Sequence, residues 1–365
     1  MKPELYSVAI ELTAHCNQKC DYCYNGWRED DGAAVATATT AQLLARVHKL
    51  VDAFAIDHVT LTGGEPFARG DIWQLLDLLA EHGVAVQIIS NGGLITERVA
   101  ERLAPYGVRY VQVTLNGPNR ELHEEHVGPG HFEPTLRGVR ALRKHGVPVV
   151  GCVVVTHKNA SRLGEILELW RSLDVHHIAL SRFSPAGYAV SHAAKLLPTL
   201  GDMEDAFGQA LPHARDGMRV SCTMPIPPCM IETSAYAPIE FGTCPIGTTM
   251  QELALGPDGK LRNCTLHASA IGGVDDILDP SVDLSTLIAH SDVTAYRKKL
   301  PAFCEGCVHA DTCGGGCGAA SVWMLGEHSE RRLPDPFLWQ HVDDDFEARL
   351  TLERNDGRRR LEVIL

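Results

Sequence analysis

The sequence lacks a long apolar run. Its longest apolar stretch lies near Pro148 to Val155 and is interrupted by Gly151, far short of the ~20 residues that a membrane-spanning helix needs. The first residues, up to Glu11, contain no apolar core of signal-peptide length. We therefore expect no membrane partner and a cytoplasmic location.

Positive charge is also scarce. The 365 residues include 33 lysines and arginines against 46 aspartates and glutamates, which gives a formal net charge of −13. A general nucleic-acid-binding protein normally has a basic excess, so no nucleic-acid partner is expected. Hydrophobic residues make up 45% of the chain and charged residues 22%, which excludes a disordered protein. At roughly 150 residues per domain, the length predicts two or three domains.

Cysteine, by contrast, is abundant. Twelve cysteines in a chain that is not secreted indicate metal or redox chemistry rather than disulfide bonds. Cys152 lies within an apolar run, where a buried, inert thiol is the default interpretation. The other eleven cysteines are Cys16, Cys20, Cys23, Cys222, Cys229, Cys244, Cys264, Cys304, Cys307, Cys313 and Cys317.

The first half of the chain alternates β-rich runs with amphipathic helical patterns, six times over. Such a repeat predicts an α/β fold with a parallel sheet, here curled into a barrel or partial barrel. The predicted strands are Tyr6–Leu12, His58–Leu61, Val84–Ser90, Arg109–Leu115, Pro148–Thr156 and His176–Leu180. The predicted helices are Ala41–Ala53, Ile72–His82, Ile95–Ala104, Pro134–His145 and Arg162–Leu173.

A polar or glycine-rich cluster follows each of these strands. In β/α barrels the loops at the carboxyl ends of the strands converge on one rim, where function is found. We therefore expect these clusters to form one site, although loops of this kind are rich in turn residues in any protein. The clusters are Cys16–Cys23, Gly63–Pro66, Ser90–Gly92, Thr114–Gly117, Thr156–Asn159 and Ser181–Gly187.

The cysteines of the first cluster are spaced C-x3-C-x2-C. Cys16, Cys20 and Cys23 can ligate three irons of a 4Fe–4S cluster and leave the fourth iron open. The alternative is a zinc site that His15 would complete.

Together with Gly63-Gly64-Glu65-Pro66 after strand two, this cysteine loop resembles the radical S-adenosylmethionine (SAM) enzymes. The resemblance covers roughly residues 5–190 and implies a partial (β/α)6 barrel. It also implies that SAM binds the open iron, and that reductive cleavage of SAM yields a 5′-deoxyadenosyl radical that abstracts hydrogen from the substrate. The implied SAM-binding residues are Tyr22, Gly63, Gly64, Glu65, Pro66, Ser90, Asn91, Thr114, Asn116 and, at the barrel mouth, Arg182.

The position of Asn116 departs from the family pattern. An Asp is usual there, and the neutral Asn puts in doubt any acid–base role that the Asp would have. His123 and His126, in the segment that follows, are interpreted as surface or core residues without a chemical role. No residue is assigned as a catalytic acid or base.

The remaining eight cysteines lie in a loop-rich second region. Cys244, the Gly259-x4-Cys264 unit and the C-x2-C-x5-C-x3-C run from Cys304 to Cys317 resemble the SPASM extension of radical SAM maturases. A β-hairpin is expected between the first two of these cysteines, at Glu252–Leu255 and the turn after it. A zinc module is the alternative for a C-x2-C pair alone.

The family's late cysteine is missing after Cys317, yet eight thiolates suffice for two auxiliary 4Fe–4S clusters. We predict that Cys229 joins Cys244, Cys264 and Cys317, and that Cys222 joins Cys304, Cys307 and Cys313. The alternatives are that Asp335, His309 or His328 completes the second site, or that it stays open.

These patterns predict three segments: a radical SAM partial barrel at 1–215, a SPASM-like iron–sulfur domain at 216–330 and a C-terminal extension at 331–365. The tail from Phe337 onward is charged and is expected to be solvated. The resemblance implies a maturase that oxidatively modifies or crosslinks a ribosomally made peptide. An electron donor such as flavodoxin or ferredoxin is an expected partner. Because the predicted barrel begins near residue 1, two alternatives are expected: leader-peptide recognition by a separate protein, or a short substrate.

Two other functions stay open. One is a radical SAM dehydrogenase or decarboxylase for a small molecule such as a sugar or tetrapyrrole. The other is a metal-binding protein without catalytic activity.

Overall fold

The computed structural model describes residues 2–28, 37–267, 269–273, 279, 281, 299–326 and 333–342. Within these residues, one mixed sheet runs through both predicted domains. Its strands are β1 Glu4–Glu11, β2 Ala55–Thr62, β3 Ala85–Ser90, β4 Tyr110–Thr114, β5 Val149–Val155, β6 His177–Arg182, β7 Arg219–Cys222, β8 Glu240–Phe241, β9 Glu252–Leu255, β10 Lys260–Arg262 and β11 Ala270–Gly273.

The helices of the first half connect the strands. They are α1 Thr40–Ala53, α2 Ile72–Glu81, α3 Glu97–Leu103, α4 Arg120–Val127, α5 Phe132–Lys144, α6 Leu163–Ser172, α7 Ala193–Leu196 and α8 Leu200–Arg215. Short helices follow at Ala310–Cys313, Gly318–Leu325 and Trp339–Val342. Among the described residues, no helix has both the length and the apolar character needed to cross a membrane.

Strands β1 to β8 pair in chain order and are parallel. All six predicted strands are therefore confirmed, with bounds that differ by a few residues. The βα alternation continues beyond the sixth strand, because α8 leads into β7, which pairs with β6. The predicted domain boundary after residue 215 thus falls within a βα unit.

The second region joins the sheet at its other side. Strand β9 pairs with β1 in parallel, and β10 pairs antiparallel with β9. The expected hairpin is therefore present, closed by a hydrogen bond in which the Gly256 N–H donates to the Lys260 carbonyl at 2.8 Å. This pairing fixes the hairpin that leads to Cys264 next to the strand that leads to Cys16.

The two faces of the parallel strands differ in polarity. Side chains alternate between the faces of a strand. On one face Val8, Ile10, Val59 and Leu61 belong to a single apolar core that includes the helices, for example Val47 of α1. The opposite face is largely polar and partly open to solvent, and carries Ser7, Glu11, Thr60, Thr62, Gln87, Tyr110, Gln112, Thr114 and Glu252.

The start of the predicted solvated tail is buried instead. Phe337, Leu338 and Trp339 are at most 1% exposed. Their burial was missed because the composition of the whole tail is charged, whereas the three apolar residues stand together at its beginning. The Arg358–Arg360 run lies outside the described residues.

Candidate functional site

The Cys16–Cys23 loop follows β1 at the carboxyl edge of the sheet. Neighbouring segments hold it from two sides through backbone hydrogen bonds. The Asp21 N–H donates to the carbonyl of His126 at the end of α4, and the Ala189 N–H donates to the Cys23 carbonyl, both at 2.9 Å. The conformation of the loop therefore depends on contacts with neighbouring segments as well as on its own sequence.

The three thiols line one cavity of about 60 Å³. Burial raises the pKa of the Cys16 thiol to about 11, and it also raises the pKa of Cys20, where the charges of Cys23 and Cys16 add to the effect. Thiolates held this close together repel one another, and bound metal relieves that repulsion because it takes thiolate ligands. The donor set therefore fits an iron–sulfur cluster with three protein ligands.

The same cavity presents polar groups that sequence reasoning missed. Gln18 Nε2 and Asn25 Oδ1 line it, are buried and have no hydrogen-bond partner within the described part of the chain. Arg28 also lines it and stacks on Tyr188, 4.2 Å from the ring centre. No spacing rule pointed to these residues, since the loop from Gly187 to His192 that closes over them is distant in sequence.

The Gly63–Pro66 turn lies directly against the cysteine loop. The Gly64 N–H donates to the Thr13 carbonyl at 2.7 Å, and the Glu65 N–H donates to the His15 carbonyl at 2.9 Å. A Cβ on Gly64 would lie 2.0 Å from the His15 carbonyl oxygen, and Gly63 has a φ of +125°. The glycines are thus needed because the two loops pack directly against each other. The sequence-based expectation was a different role, close approach of the backbone to SAM.

Glu65 is fully buried, and its carboxylate is held by three donors. Ser90 Oγ donates to it at 2.8 Å, the Asn91 N–H at 2.9 Å and the Phe67 N–H at 3.1 Å. Burial nevertheless raises the pKa of this carboxyl to about 7. Ser90 and Asn91, predicted as SAM contacts, orient Glu65 in this structure, and Pro66 begins the 3-10 turn that follows it.

Asn116 lies two residues beyond the end of β4, with its side chain buried. Its Oδ1 accepts a hydrogen bond from the Val154 N–H at 2.8 Å, whereas Nδ2 has no partner among the described residues. A buried donor of this kind is available to a ligand. Thr114 interacts with the Cys152 thiol, and Tyr22 lies beside both Cys20 and Cys152. Cys152 is therefore buried, as expected, but it lies next to the cysteine loop.

His123 and His126 are buried and not at the surface. The His123 ring accepts the Asn116 N–H at 3.2 Å, and His126 Nε2 lies 2.9 Å from Thr156 Oγ1. Burial lowers the pKa of both imidazoles, to about 4 for His123. Both are neutral core histidines that fasten α4 to the site, so the core alternative holds and the surface alternative does not.

Arg182 is buried and not open at the barrel mouth. The expectation that it contacts SAM or substrate there is therefore not met, since its side chain is 0% exposed. The guanidinium binds Asp335 through both nitrogens, with Nη2 at 2.5 Å from Oδ2 and Nη1 at 3.3 Å from Oδ1. Asp335 also accepts the Cys317 N–H at 2.7 Å. Arg182 therefore ties β6 to the second cysteine region.

Three cysteines of that region lie near one another. After burial, the charges of Cys317 and Cys244 raise the pKa of the Cys264 thiol, to about 12. Cys244, Cys264 and Cys317 thus form a three-thiol set.

Neither of the two upstream cysteines lies where the prediction places it. Burial and the charges of Cys313 and Cys307 raise the pKa of Cys229, so this thiol lies beside the second set. Cys222 sits in β7 within the apolar core, and its thiol donates to the Met224 carbonyl at 3.4 Å. The predicted assignment of these two is wrong because sequence separation does not determine which loop a thiol reaches.

The alternative ligands fare differently. Asp335 forms a buried ion pair with Arg182, and His309 is exposed to solvent. His328 lies outside the described residues. The Cys304 sulfur lies near the Gly314–Gly316 run, 3.6 Å from where a Cβ on Gly315 would be. Cys229 thus lies beside Cys307 and Cys313, and Cys304 is the candidate for a fourth thiol of this set.

Comparisons with known proteins agree with this geometry. Residues 10–169 match the radical SAM superfamily. The chain is 26% identical over 317 residues to mycofactocin maturase MftC of Mycobacterium tuberculosis, covering 86% of this chain and 78% of that protein. It is 27% identical over 331 residues to PqqA peptide cyclase of Rhodopseudomonas palustris, covering 88% and 84%.

A solved structure matches almost end to end. Native anSMEcpe with bound AdoMet and the Cp18Cys peptide superposes with a TM-score of 0.67 at 18% identity, covering 96% of this chain and 99% of that chain. This likeness confirms the predicted fold class, a partial barrel followed by a cysteine-rich SPASM-type region. Members of the superfamily use SAM and a 4Fe–4S cluster. Residues 10–169 form a radical SAM domain, and the chain as a whole shares the fold of the SPASM-type structure anSMEcpe.

Proposed function

We propose that this chain is a maturase that abstracts a hydrogen atom from a ribosomally made peptide and so oxidises or crosslinks it. One observation carries the proposal. The three-cysteine loop docks onto the Gly63–Pro66 turn above a sheet face that is polar and partly open. The names of the relatives, a maturase and a peptide cyclase, support a peptide substrate, as does the peptide bound in anSMEcpe.

Cys16, Cys20 and Cys23 would hold the cluster to which SAM binds, and SAM bound there supplies the radical that takes hydrogen. The chain's own residues would orient it. Glu65 offers the carboxylate for the methionine ammonium, and Asn116 Nδ2 offers a buried donor. The 3-10 helix Gly187–His192 contacts the cysteine loop and would help to exclude water from the reaction.

We further propose two auxiliary 4Fe–4S clusters. Cys229, Cys304, Cys307 and Cys313 provide full cysteine ligation for one. Cys244, Cys264 and Cys317 provide three ligands for the other. A fully ligated cluster is suited to electron transfer because no iron is open to substrate.

The polar face of the sheet would receive the peptide. Glu252 of β9 accepts hydrogen bonds from Thr60 Oγ1 at 3.1 Å and Ser7 Oγ at 3.3 Å. Within the described residues no lysine or arginine pairs with this carboxylate, so its charge is available to a donor on the substrate.

Two partners complete the proposal. A reduced flavodoxin or ferredoxin would supply electrons to the first cluster. A separate leader-binding protein would present the precursor peptide. The proposed segments remain 1–215, 216–330 and 331–365, with the sheet continuous across the first boundary.

The test is anaerobic incubation of the cluster-loaded protein with SAM, dithionite and candidate precursor peptides. Mass spectrometry should find 5′-deoxyadenosine together with a peptide lighter by about two hydrogens, the change expected for oxidation at one carbon. A Cys16→Ala/Cys20→Ala/Cys23→Ala variant is the matched control and should give neither product. Cleavage of SAM with every peptide unchanged would overturn the peptide proposal in favour of a small-molecule dehydrogenase or decarboxylase.

A further inference from the structure

We propose that His48, Asp52 and His82 form a surface site for one divalent transition-metal ion, with zinc as the probe ion. His48 and Asp52 lie one turn apart on α1, and His82 caps the end of α2. The ligand atoms of the three side chains all lie within 4.8 Å of one another. The proposal is independent of the function proposed above.

The spacing matches a coordination shell. His48 Nε2 lies 3.2 Å from Asp52 Oδ2, and His82 Nε2 lies 3.5 Å from Asp52 Oδ1. Zinc binds nitrogen and oxygen ligands at about 2.0–2.2 Å, which in a tetrahedron places neighbouring ligand atoms about 3.3–3.5 Å apart. The distances from Asp52 to the two imidazoles are therefore already close to those around a bound zinc ion, so binding would need little movement of these side chains.

The tautomer of His82 is already the one that a metal requires. Its Nδ1 lies 3.0 Å from the Leu78 carbonyl oxygen, so Nδ1 carries the proton and donates it to that carbonyl. In the neutral ring Nε2 is then the acceptor nitrogen, and it lies 3.5 Å from Asp52 Oδ1. A hydrogen bond from the second ring nitrogen to a carbonyl is the usual support of a metal-binding histidine.

The backbone favours a cation at the same place. Helices α1 and α2 both run away from the cysteine loop, and their carboxyl ends meet at these three residues. The carboxyl end of a helix carries partial negative charge that attracts cations. Both helices pack on the apolar core through Val47 and Leu79, so the ligands stand on rigid elements.

The set of two imidazoles and one carboxylate selects the class of ion. Imidazole suits zinc, nickel, copper and iron(II), whereas calcium and magnesium prefer sites made of oxygen. His48 and Asp52 are 53% and 55% exposed, so water would fill the remaining positions. The site lies at the opposite edge of the sheet from the iron–sulfur ligands, because α1 and α2 end where β2 and β3 begin.

The experiment compares zinc content in cluster-loaded protein. Wild type and a His48→Gln/His82→Gln variant are equilibrated anaerobically with zinc and dialysed, and metals are measured by mass spectrometry. Wild type should retain about one zinc ion per chain more than the variant, with equal iron and sulfide in both. Zinc should also raise the melting temperature of wild type and not that of the variant.

His145→Gln is the matched control. His145 contacts a single carboxylate, Glu97, at 2.9 Å, and is likewise on the protein surface. It should keep the wild-type zinc content. Equal zinc in wild type and the double variant, at any level, overturns the proposal. An equal loss in His145→Gln overturns it too, because binding would then be a general property of surface histidines.

Discussion

The two cysteine regions of the molecule are assembled by different means. The first takes its three thiols from eight consecutive residues, Cys16 to Cys23, at the end of a parallel strand. The second gathers seven thiols spread from Cys229 to Cys317. Local chain geometry suffices for the first, whereas the second depends on contacts that are distant in sequence.

Two buried ion pairs supply such contacts. Arg182 of β6 binds Asp335, which in turn accepts the Cys317 N–H. Arg262 of β10 binds the buried carboxylate of Glu11, at the end of the strand that leads to Cys16. Each pair therefore joins the barrel to the second cysteine region. Removal of one partner of a buried pair is strongly destabilising, because the other charge is left without compensation.

The largest expected effect separates the two upstream cysteines. Cys229→Ser should remove one auxiliary cluster, a loss of about four irons per chain, since this thiol lies beside Cys307 and Cys313. Cys222→Ser should leave the iron content unchanged because Cys222 lies in the apolar core. Iron and sulfide analysis with electron paramagnetic resonance measures both.

The opposite result for these two variants would contradict the assignment. If Cys222→Ser loses the iron and Cys229→Ser keeps it, the assignment drawn from the structure is wrong and the one drawn from the sequence is right. Cys152→Ser is the control for a buried thiol outside both auxiliary sets. It should behave as wild type in iron content.

The next effect is on stability. Arg182→Met should destabilise the protein by about 3–5 kcal/mol, because Asp335 is left buried and unpaired. Arg219→Met is the matched control, since its partner Glu240 is exposed, and it should cost about 0–1 kcal/mol. Urea unfolding of the cluster-loaded proteins compares the two.

Iron loss should accompany this unfolding at the second region first. The Arg182→Met variant should release auxiliary iron at lower urea than wild type, while the cluster of the first loop persists. Equal urea midpoints for Arg182→Met and Arg219→Met would contradict the role given to the buried pair.

A third, smaller effect concerns SAM. Glu65→Gln keeps the shape of the side chain and removes the charge proposed to bind the methionine ammonium. Charge-assisted hydrogen bonds contribute about 1.5–3 kcal/mol, so SAM affinity should fall roughly 10- to 150-fold with full iron content retained. Isothermal titration of anaerobic protein measures this. Unchanged affinity would remove Glu65 from the proposed SAM site.

The first region could be predicted well from the sequence because its signals are local. Period-two apolar runs ended by Gly63-Gly64 or Ser90-Asn91 locate both the strands and the edge where their loops meet. Helix α4 escaped notice because two of its three buried residues are His123 and His126, which do not count as apolar.

The second region resisted prediction where contacts were not local. Strands β7 and β8 are four and two residues long, too short to show a period. The place of Cys229 depends on how the chain crosses from β7 to the Cys307–Cys313 turn, which spacing does not encode. The sequence indicated Asp335 only as an alternative metal ligand. Its ion pair with Arg182 could be seen only in the folded structure, because the two residues are far apart in sequence.

The smallest expected effect lies on the sheet face that both regions share. Glu252 comes from the second region, and its hydrogen-bonding partners Ser7 and Thr60 come from the first. Burial raises the pKa of this carboxyl, so its ionised form gains from a donor on the substrate. Glu252→Gln should raise the KM for a modified peptide about fivefold, a change near 1 kcal/mol, and leave peptide-independent SAM cleavage unaltered. Glu240→Gln, an exposed carboxylate on β8, should change neither quantity. If Glu252→Gln lowers SAM cleavage without peptide as much as it affects the peptide reaction, Glu252 supports the junction of the two regions and does not contact substrate.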